Sequence, residues 1–363
     1  AQDGRLFEGK TPVSAFLNSS YDGSFIAGLM ELRYIQSLPV ERIINYFESH
    51  GFTLKKPTAH KLMEKASSLF ENLYKCIRQT ALSDPYKAAD ETYYKILVPE
   101  KNSKGKGFRK GYLWVVVGIN TRMIYLLYDD GSRSEKVILN ELGGCKGIIQ
   151  SDGYSPYRKL ESDAYPHITR IPCLQHIKRK FIDCGEDDPD AKRIVEMINT
   201  LYQNEHKHKI GVDGWTVEQN LVHRKKYAPD ILGEIKDVLD DIEERGDLLP
   251  KSELKEAITY LRNEWNAVVD IFNYGDTYLD NNIVERMNRY ISLSRKNSLF
   301  FGSHKGAERG AILYTIALTC RMHKVNLFEY LTDVINRTAE WQPNTPLEKY
   351  RELLPDRWEK ANG

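Results

Sequence analysis

Three acidic residues have the types and positions that a divalent cation site needs. Asp90 is at the head of a β-rich segment, Asp152 follows another in the run QSDGY, and Glu285 lies in the run DNNIVER. Aspartate is disfavoured inside strands, and ligand sites of α/β sheets collect where strands end. Carboxylate oxygens are the ligands that hard cations take. The two aspartates therefore indicate one cation site, with Glu285 as the third candidate.

Each of these residues also has a purely structural interpretation. Asp152 precedes Gly153, a common turn-forming pair, and Asp90 can be a charge at the edge of a strand. Asn282 and Glu285 have capping-box spacing, in which the glutamate serves only the helix N-terminus. Taken singly, the structural interpretations are the commoner ones, so the spacing leaves both roles open.

Basic residues accompany the acidic candidates. The stretch 280–310 carries six Lys and Arg against three Asp and Glu, interleaved with aromatic residues. Such a pattern suits phosphate contacts and base stacking, with a solvated helical face as the alternative. The predicted DNA-binding residues are Lys61, Lys65, Lys178, Arg179, Lys180, Arg289, Arg295, Lys296 and His304.

Cys173 and His176 have the spacing of two zinc ligands. A structural zinc site takes four ligands, and only the distant Cys184 or the histidines at 206, 208 and 223 offer to complete it. Zinc is therefore not expected here. A helix start whose basic side chains reach toward a phosphate is the favoured interpretation.

The spacing of apolar residues, which predicts the helices and strands that position these candidates, changes along the chain. Helical patterns fill residues 24–80, and the segment 38–66 predicts either a DNA-reading helix-turn-helix or a plain helical module, with equal weight. Strands are predicted at 90–98, 112–119, 123–128, 147–151 and 168–172, with a basic hairpin loop at 101–110 and a helix at 134–142. From residue 174 onward every pattern is helical.

These patterns predict an α/β fold: a mixed sheet with an all-helical insertion, preceded by a helical module and followed by C-terminal helices. The predicted divisions are a helical, candidate DNA-binding module at 1–83, a core in two parts at 84–186 and 275–340, an insertion at 187–274, and a tail at 341–363.

Composition excludes several classes. The 363 residues are 41% hydrophobic and 28% charged, which excludes fibrous and low-complexity proteins. The formal net charge of +1 neither favours nor excludes a polyanionic partner. Five scattered cysteines predict reduced thiols. The sequence shows no apolar run of membrane-spanning length and no signal-peptide pattern, so a cytoplasmic protein is expected.

Several motifs occur together in a fixed order. They are DET from Asp90, LWVVVG at 113–118, QSDGYSPY from Gln150, C-x-x-H-x-x-R-K-F from Cys173, DNNIVER, RKNSLFFGSHKGAERGA from Arg295, and NLFEYLTDV. With this string the sequence resembles the IS66-type insertion-sequence transposases over about residues 24–334. The family's CWAH-like segment appears here as CLQH, and the family's usual upstream zinc-binding region is expected to be missing.

The resemblance implies an RNase H-like catalytic domain of the DDE class. Carried over residue by residue, Asp90, Asp152 and Glu285 become a catalytic triad that binds two Mg²⁺ or Mn²⁺ ions. The implied activity is DNA strand cleavage and strand transfer of an insertion sequence. The implied partners are double-stranded DNA at the element ends and target, a second copy of the chain on DNA, and accessory proteins of the same element.

Two other functions stay open from the sequence. One is a catalytically inactive, transposase-derived DNA-binding protein, and the other is an RNase H-like nuclease without strand transfer. The implied location is the bacterial cytoplasm, with the nucleoid when the protein is bound to DNA.

Overall fold

The computed structural model describes residues 14–359 except 17–18, 101–104, 106, 186, 340 and 343. Half of the predicted basic loop at 101–110 therefore lies outside the described residues. The chain divides into two compact units. The first contains the described residues up to 84, residues 91–133 and those from 286 onward, and the second contains residues 85–90 and 134–285.

Five strands form one mixed sheet among the described residues. They are β1 (Tyr86–Leu97), β2 (Phe108–Gly118), β3 (Ile124–Leu127), β4 (Gly147–Ser151) and β5 (Ile168–Pro172). Their order is β3-β2-β1-β4-β5. β3 is antiparallel to β2, whereas β4 runs parallel to β1 and β5 parallel to β4. The predicted α/β fold class with a mixed sheet is confirmed.

The helices of the first unit are α1 (Gly23–Met30), α2 (Val40–Ser49), α3 (Lys56–Leu69), α4 (Glu71–Ser83), α12 (His304–Met322), α13 (Leu327–Thr338) and α14 (Leu347–Arg351). Of these, α4 packs against β2 and β3, and α12 packs against β3. The hydroxyl of Thr319 donates to the carbonyl of Ile124, and the amide of Leu126 donates to the hydroxyl of Thr315. These bonds satisfy the outer edge of β3, which would otherwise offer unpaired backbone groups.

One helix predicted over residues 57–80 is in fact two. The chain leaves helical geometry at Phe70, whose ψ is 5° and whose side chain is 1% exposed. Apolar spacing alone did not separate α3 from α4, because both helices keep the same period and no Gly or Pro marks the break.

The second unit joins the parallel strands to a long helical segment. Its helices are α5 (Glu135–Leu142), α6 (Ser155–Arg158), α7 (Leu174–Ile182), α8 (Pro189–Glu205), α9 (Val217–Glu244) and α10 (Glu253–Ile271). The first turn of α11 (Asn282–Asn297) also belongs to it. The prediction that helices follow residue 174 is confirmed. Across the described ranges, no helix combines the length and apolar character needed to cross a membrane.

Candidate active site

Asp90 lies on β1, and Asp152 is the residue that follows the neighbouring parallel strand β4. β1 and β4 pair with Tyr86 opposite Ile148 and Ala88 opposite Gln150. The same offset of 62 residues separates the two aspartates (152 − 90), so continuing the register sets them side by side. Neighbouring strands lie about 4.8 Å apart, which brings two carboxylates within reach of one cation site. Both side chains are half-buried.

Asn281 brings Glu285 toward the part of β1 that carries Asp90. Its side-chain Nδ2 donates to the carbonyl oxygen of Ala89 at 3.0 Å, one residue before Asp90. Its own carbonyl oxygen accepts the amide of Glu285 at 3.2 Å. Glu285 therefore lies in the first turn of a helix that is tied to the strand beside Asp90.

The capping-box alternative for Asn282 and Glu285 does not fit this helix. A capping box joins the N-cap residue to the third residue after it. The helix begins at Asn282, so Asn281 occupies the N-cap and Glu285 is the fourth residue after it. Consecutive asparagines in DNN made the sequence register ambiguous by one residue.

A buried ion pair holds the backbone at Asp152. Arg170 on β5 is fully buried and donates to Glu264 on α10 at 2.5 Å. The same guanidinium donates to the carbonyl oxygen of Asp152 at 2.8 Å and to Oγ of Ser151 at 3.1 Å. Glu161 adds a second carboxylate at 2.5 Å. Although burial opposes it, the two carboxylates raise the pKa of Arg170 above its ordinary value.

The turn that follows Asp152 is fixed from the same helix. The amide of Gly153 donates to the hydroxyl of Tyr260 at 2.8 Å, and the amide of Tyr154 donates to Oδ1 of Asp152 at 3.1 Å. A Cβ at position 153 would come within 2.5 Å of the tyrosine oxygen, so the close approach requires glycine. The turn interpretation of Asp152 is confirmed. It engages one carboxylate oxygen and is compatible with a metal role for the residue.

A second group of ligand atoms meets at Glu285. Cys173 caps α7 and His176 lies in the first turn of that helix. One sulfur, one imidazole nitrogen and one carboxylate oxygen from Cys173, His176 and Glu285 all lie within 4.8 Å of one another. Burial raises the pKa of the Cys173 thiol to about 12, against the opposing effect of backbone N–H groups from Asn281 and His176. We refer to these three residues as the Cys-His-Glu cluster.

The predicted DNA-binding residues differ in how they are held. Within the first unit, the guanidinium of Arg295 lies 4.1 Å from the ring centre of Tyr93 and also donates to its carbonyl oxygen. His304 Nδ1 lies 2.8 Å from both the Tyr128 hydroxyl and Asp130 Oδ1. These contacts position both side chains within the protein, and DNA contact by either one stays a prediction.

The other predicted basic residues present more accessible side chains. Lys178 and Lys65 are half-buried, and the ammonium of Lys65 lies 5.2 Å from the ring centre of Phe16. The remaining members are exposed: Lys61, Arg179, Lys180, Arg289 and Lys296.

Comparison with known families decides the family of this chain. The model of the family described as "Transposase IS66 family" matches residues 18–309. The chain belongs to the IS66 transposase family. The resemblance carried by the ordered motifs is thereby confirmed.

Two relatives of this IS66 family member have similar, low sequence identity to it. Two proteins of Sinorhizobium fredii (strain NBRC 101917 / NGR234), the uncharacterized proteins y4jD and y4hP, are 26% and 25% identical to it. The matches cover 92% and 89% of this chain but 65% and 60% of those relatives, so the chain spans less than two thirds of their length. The Drosophila P element transposase strand transfer complex has a TM-score of 0.42 and 13% identity, covering 84% of this chain and 94% of that chain.

Sequence reasoning missed the residues that support the acidic candidates. Glu264 was a detectable signal, because it lies three and four residues from the apolar Leu261 and Val268 on the buried face of α10. Arg170 lies two residues after Ile168 and so shares a strand face with this buried isoleucine. Asn281 carried no comparable signal, since its partner Ala89 is 192 residues away.

Proposed function

We propose that this IS66 family member catalyses metal-dependent DNA strand cleavage and strand transfer, with Asp90, Asp152 and Glu285 as its acidic triad. One observation carries the proposal: the three carboxylates belong to elements that meet where β4 ends beside the Asp90 position of β1. The β1–β4 register supports Asp90 and Asp152 as neighbours. The bond from Asn281 to Ala89 supports Glu285 beside them.

The residues fit two cations of the Mg²⁺ kind, with Mn²⁺ as a substitute. Three carboxylates are hard oxygen donors, and Mg²⁺ keeps several waters, so it needs few protein ligands. Oε1 of Glu285 is a buried oxygen without a hydrogen-bond partner among the described residues. When bound, two such metal ions would activate a water or a 3′-hydroxyl for in-line attack and would stabilise the negative charge on the leaving oxygen.

The chain's own residues then have distinct tasks in the proposal. Asp90 holds its carboxylate on the central strand, and Arg170 and Glu264 keep the backbone of Asp152 in place. Glu285 holds its carboxylate on the first turn of α11. The exposed basic residues named above bind phosphates on the DNA backbone, which sets the position of the strand without reading its sequence.

Conservative substitutions of the triad test the proposal. The substrate is a duplex carrying the inverted repeat that flanks the coding region, incubated with Mg²⁺ or Mn²⁺. We expect Asp90→Asn, Asp152→Asn and Glu285→Gln each to lower nicking by at least about 10²-fold while the fold is kept, because each removes a negative charge that would hold a divalent cation at the reacting phosphate. The matched control is Asp163→Asn, an exposed aspartate of the second unit, which should nick normally.

The products separate the proposed function from its alternatives. Joining of the nicked end to a target plasmid supports strand transfer, whereas nicking without joining identifies a nuclease. A wild-type chain that binds the duplex and never cuts it identifies an inactive DNA-binding protein. Control-level nicking by any one of the three variants removes that residue from the triad.

A further inference from the structure

The Cys-His-Glu cluster has an unusual contact at its centre. Nδ1 of His176 and Oε1 of Glu285 are 3.6 Å apart. Both atoms are buried and neither has a hydrogen-bond partner among the described residues. A direct hydrogen bond between an imidazole and a carboxylate would close to roughly 2.7–3.2 Å. Two buried polar atoms that face one another and do not bond to each other can both ligate one cation.

The separation fits two ligands of one tetrahedral ion. With zinc–nitrogen and zinc–oxygen bonds of about 2.0–2.2 Å, tetrahedral geometry separates two such ligand atoms by roughly 3.3–3.5 Å. A sulfur ligand at about 2.3 Å would lie roughly 3.6 Å from the nitrogen. The ligand atoms of the Cys-His-Glu cluster lie within 4.8 Å of one another. Side-chain rotations that move the sulfur by about 1 Å would bring it to a zinc-ligand distance from the nitrogen.

The donor set selects the class of metal. A thiolate, an imidazole and a carboxylate are the mixed sulfur, nitrogen and oxygen ligands of zinc, whereas Mg²⁺ takes oxygen ligands. The backbone N–H of Asn281 already donates to Sγ of Cys173 at 3.2 Å, and such a bond also stabilises a thiolate ligand. On binding, the thiol proton is released to solvent, and two negative ligands balance the two positive charges of the ion.

We propose that Cys173, His176 and Glu285 form a binding site for Zn²⁺, with a water molecule in the fourth position. The site differs from the all-carboxylate site of the proposed function in its chemistry, and it uses residues from the two helix starts of α7 and α11. The sequence offered no such completion, because Glu285 is 109 residues from His176 (285 − 176).

Sharing Glu285 has a regulatory consequence, which rests on the proposed function. A carboxylate that ligates Zn²⁺ beside His176 is withdrawn from the triad. Zn²⁺ should therefore inhibit Mg²⁺-supported nicking, and His176→Ala should lower its inhibitory potency by at least about tenfold.

The binding test uses the full chain, metal-free, with Co²⁺ as a coloured probe and Zn²⁺ as its competitor. A cobalt–thiolate site gives a charge-transfer absorption band in the near ultraviolet, which Zn²⁺ displaces. We expect this band in the wild type and in Cys184→Ser, whose sulfur lies at the other end of α7. The band should vanish in Cys173→Ser. The affinity of the protein for Co²⁺ should fall by at least about 10- to 100-fold in His176→Ala and in Glu285→Gln.

Several results would overturn the site. They are a wild type without the band, a band that survives Cys173→Ser, a band lost in Cys184→Ser, or unchanged affinity in His176→Ala or Glu285→Gln. Circular dichroism in chelator checks that each variant is folded. Because His176 is partly exposed, its variant keeps the test valid if Cys173→Ser does not fold. The cobalt band involves no DNA, so it persists if the proposed cleavage activity fails.

Discussion

Removing the charge of Glu264 tests how the candidate site is supported. Glu264→Gln keeps the size of the side chain and one acceptor oxygen but removes the carboxylate that faces Arg170. The guanidinium stays fully buried, with only Glu161 as a carboxylate partner at 2.5 Å. The side chain of Glu161 is 35% exposed, so solvent screens its charge more than it screened that of Glu264.

The expected loss of unfolding free energy follows from this geometry. Removing one partner of a buried ion pair costs roughly 3–5 kcal/mol, because an uncompensated charge stays inside. Since Glu161 and the amide oxygen of the new glutamine compensate part of the charge of Arg170, the lower end applies, about 3 kcal/mol. The control is Glu256→Gln, an exposed glutamate on the same helix, where a few tenths of a kcal/mol are expected.

Urea unfolding at neutral pH measures both variants, and a double variant sharpens the result. Arg170→Met with Glu264→Leu replaces the pair by apolar groups and should recover much of the loss. If the proposed function holds, Glu264→Gln should also raise the Mg²⁺ concentration needed for half-maximal nicking, since Arg170 holds the carbonyl of Asp152. A Glu264→Gln protein as stable as the Glu256→Gln control would refute the reasoning.

Three further predictions concern charge. In metal-free protein, Glu285→Gln should change the unfolding free energy by less than about 1 kcal/mol, because the side chain does not complete a capping box; a larger loss by urea unfolding would contradict this. Arg179→Ala should reduce the log–log salt slope of DNA binding by about 0.9 and Lys236→Ala should not; equal slopes would mark Arg179 as a solvated side chain. Burial alone would raise the pKa of Glu205, but the charge and hydrogen bonds of Arg224 and further side-chain hydrogen bonds together lower this pKa below its ordinary value. The contribution of Glu205 to stability is therefore lost as pH falls from about 4.3. Acid unfolding of Glu205→Gln should show a smaller loss in that window.

The strands show where sequence patterns succeed and where they fail. β4 and β5 have the predicted bounds, because turn residues flank short apolar runs. β1 was predicted to begin at Asp90 and begins at Tyr86 instead. Residues 86–89 are all buried, as expected for a central strand covered on both faces, and this removes the alternation that identifies a strand.

Side-chain partners were harder to predict than elements. The acidic candidates were identifiable because aspartate is disfavoured inside strands and the ligand sites of α/β sheets collect where strands end. Their partners depend on contacts across the second unit: Arg170 is 94 residues from Glu264, and Asn281 is 192 from Ala89. Spacing rules describe neighbours on one helix or strand, so such pairings appear only in the folded chain.

The helical insertion supports the candidate site from two directions. From α10, Tyr260 and Glu264 fix the segment at Asp152. From α9, the fully buried Arg224 donates to the backbone carbonyls of Ile271, Tyr274 and Thr277, which fixes the chain that leads into α11 and Glu285.

The insertion therefore contributes to the stability of the fold around the site. Without α10, Arg170 would lose its buried partner Glu264 and keep only the partly exposed Glu161 as a carboxylate partner, a loss that costs several kcal/mol. That cost would fall on the strand that holds Asp152. Without α9, the segment 271–277 would lose its hydrogen bonds from Arg224. This segment leads to Asn281, whose bond to Ala89 holds the start of α11. Long insertions in surface loops are usually tolerated because the entropic cost of closing a loop grows only slowly with its length. Here the inserted helices supply the charges and hydrogen bonds that the two flanking segments need, so the insertion and the acidic site form one structural unit.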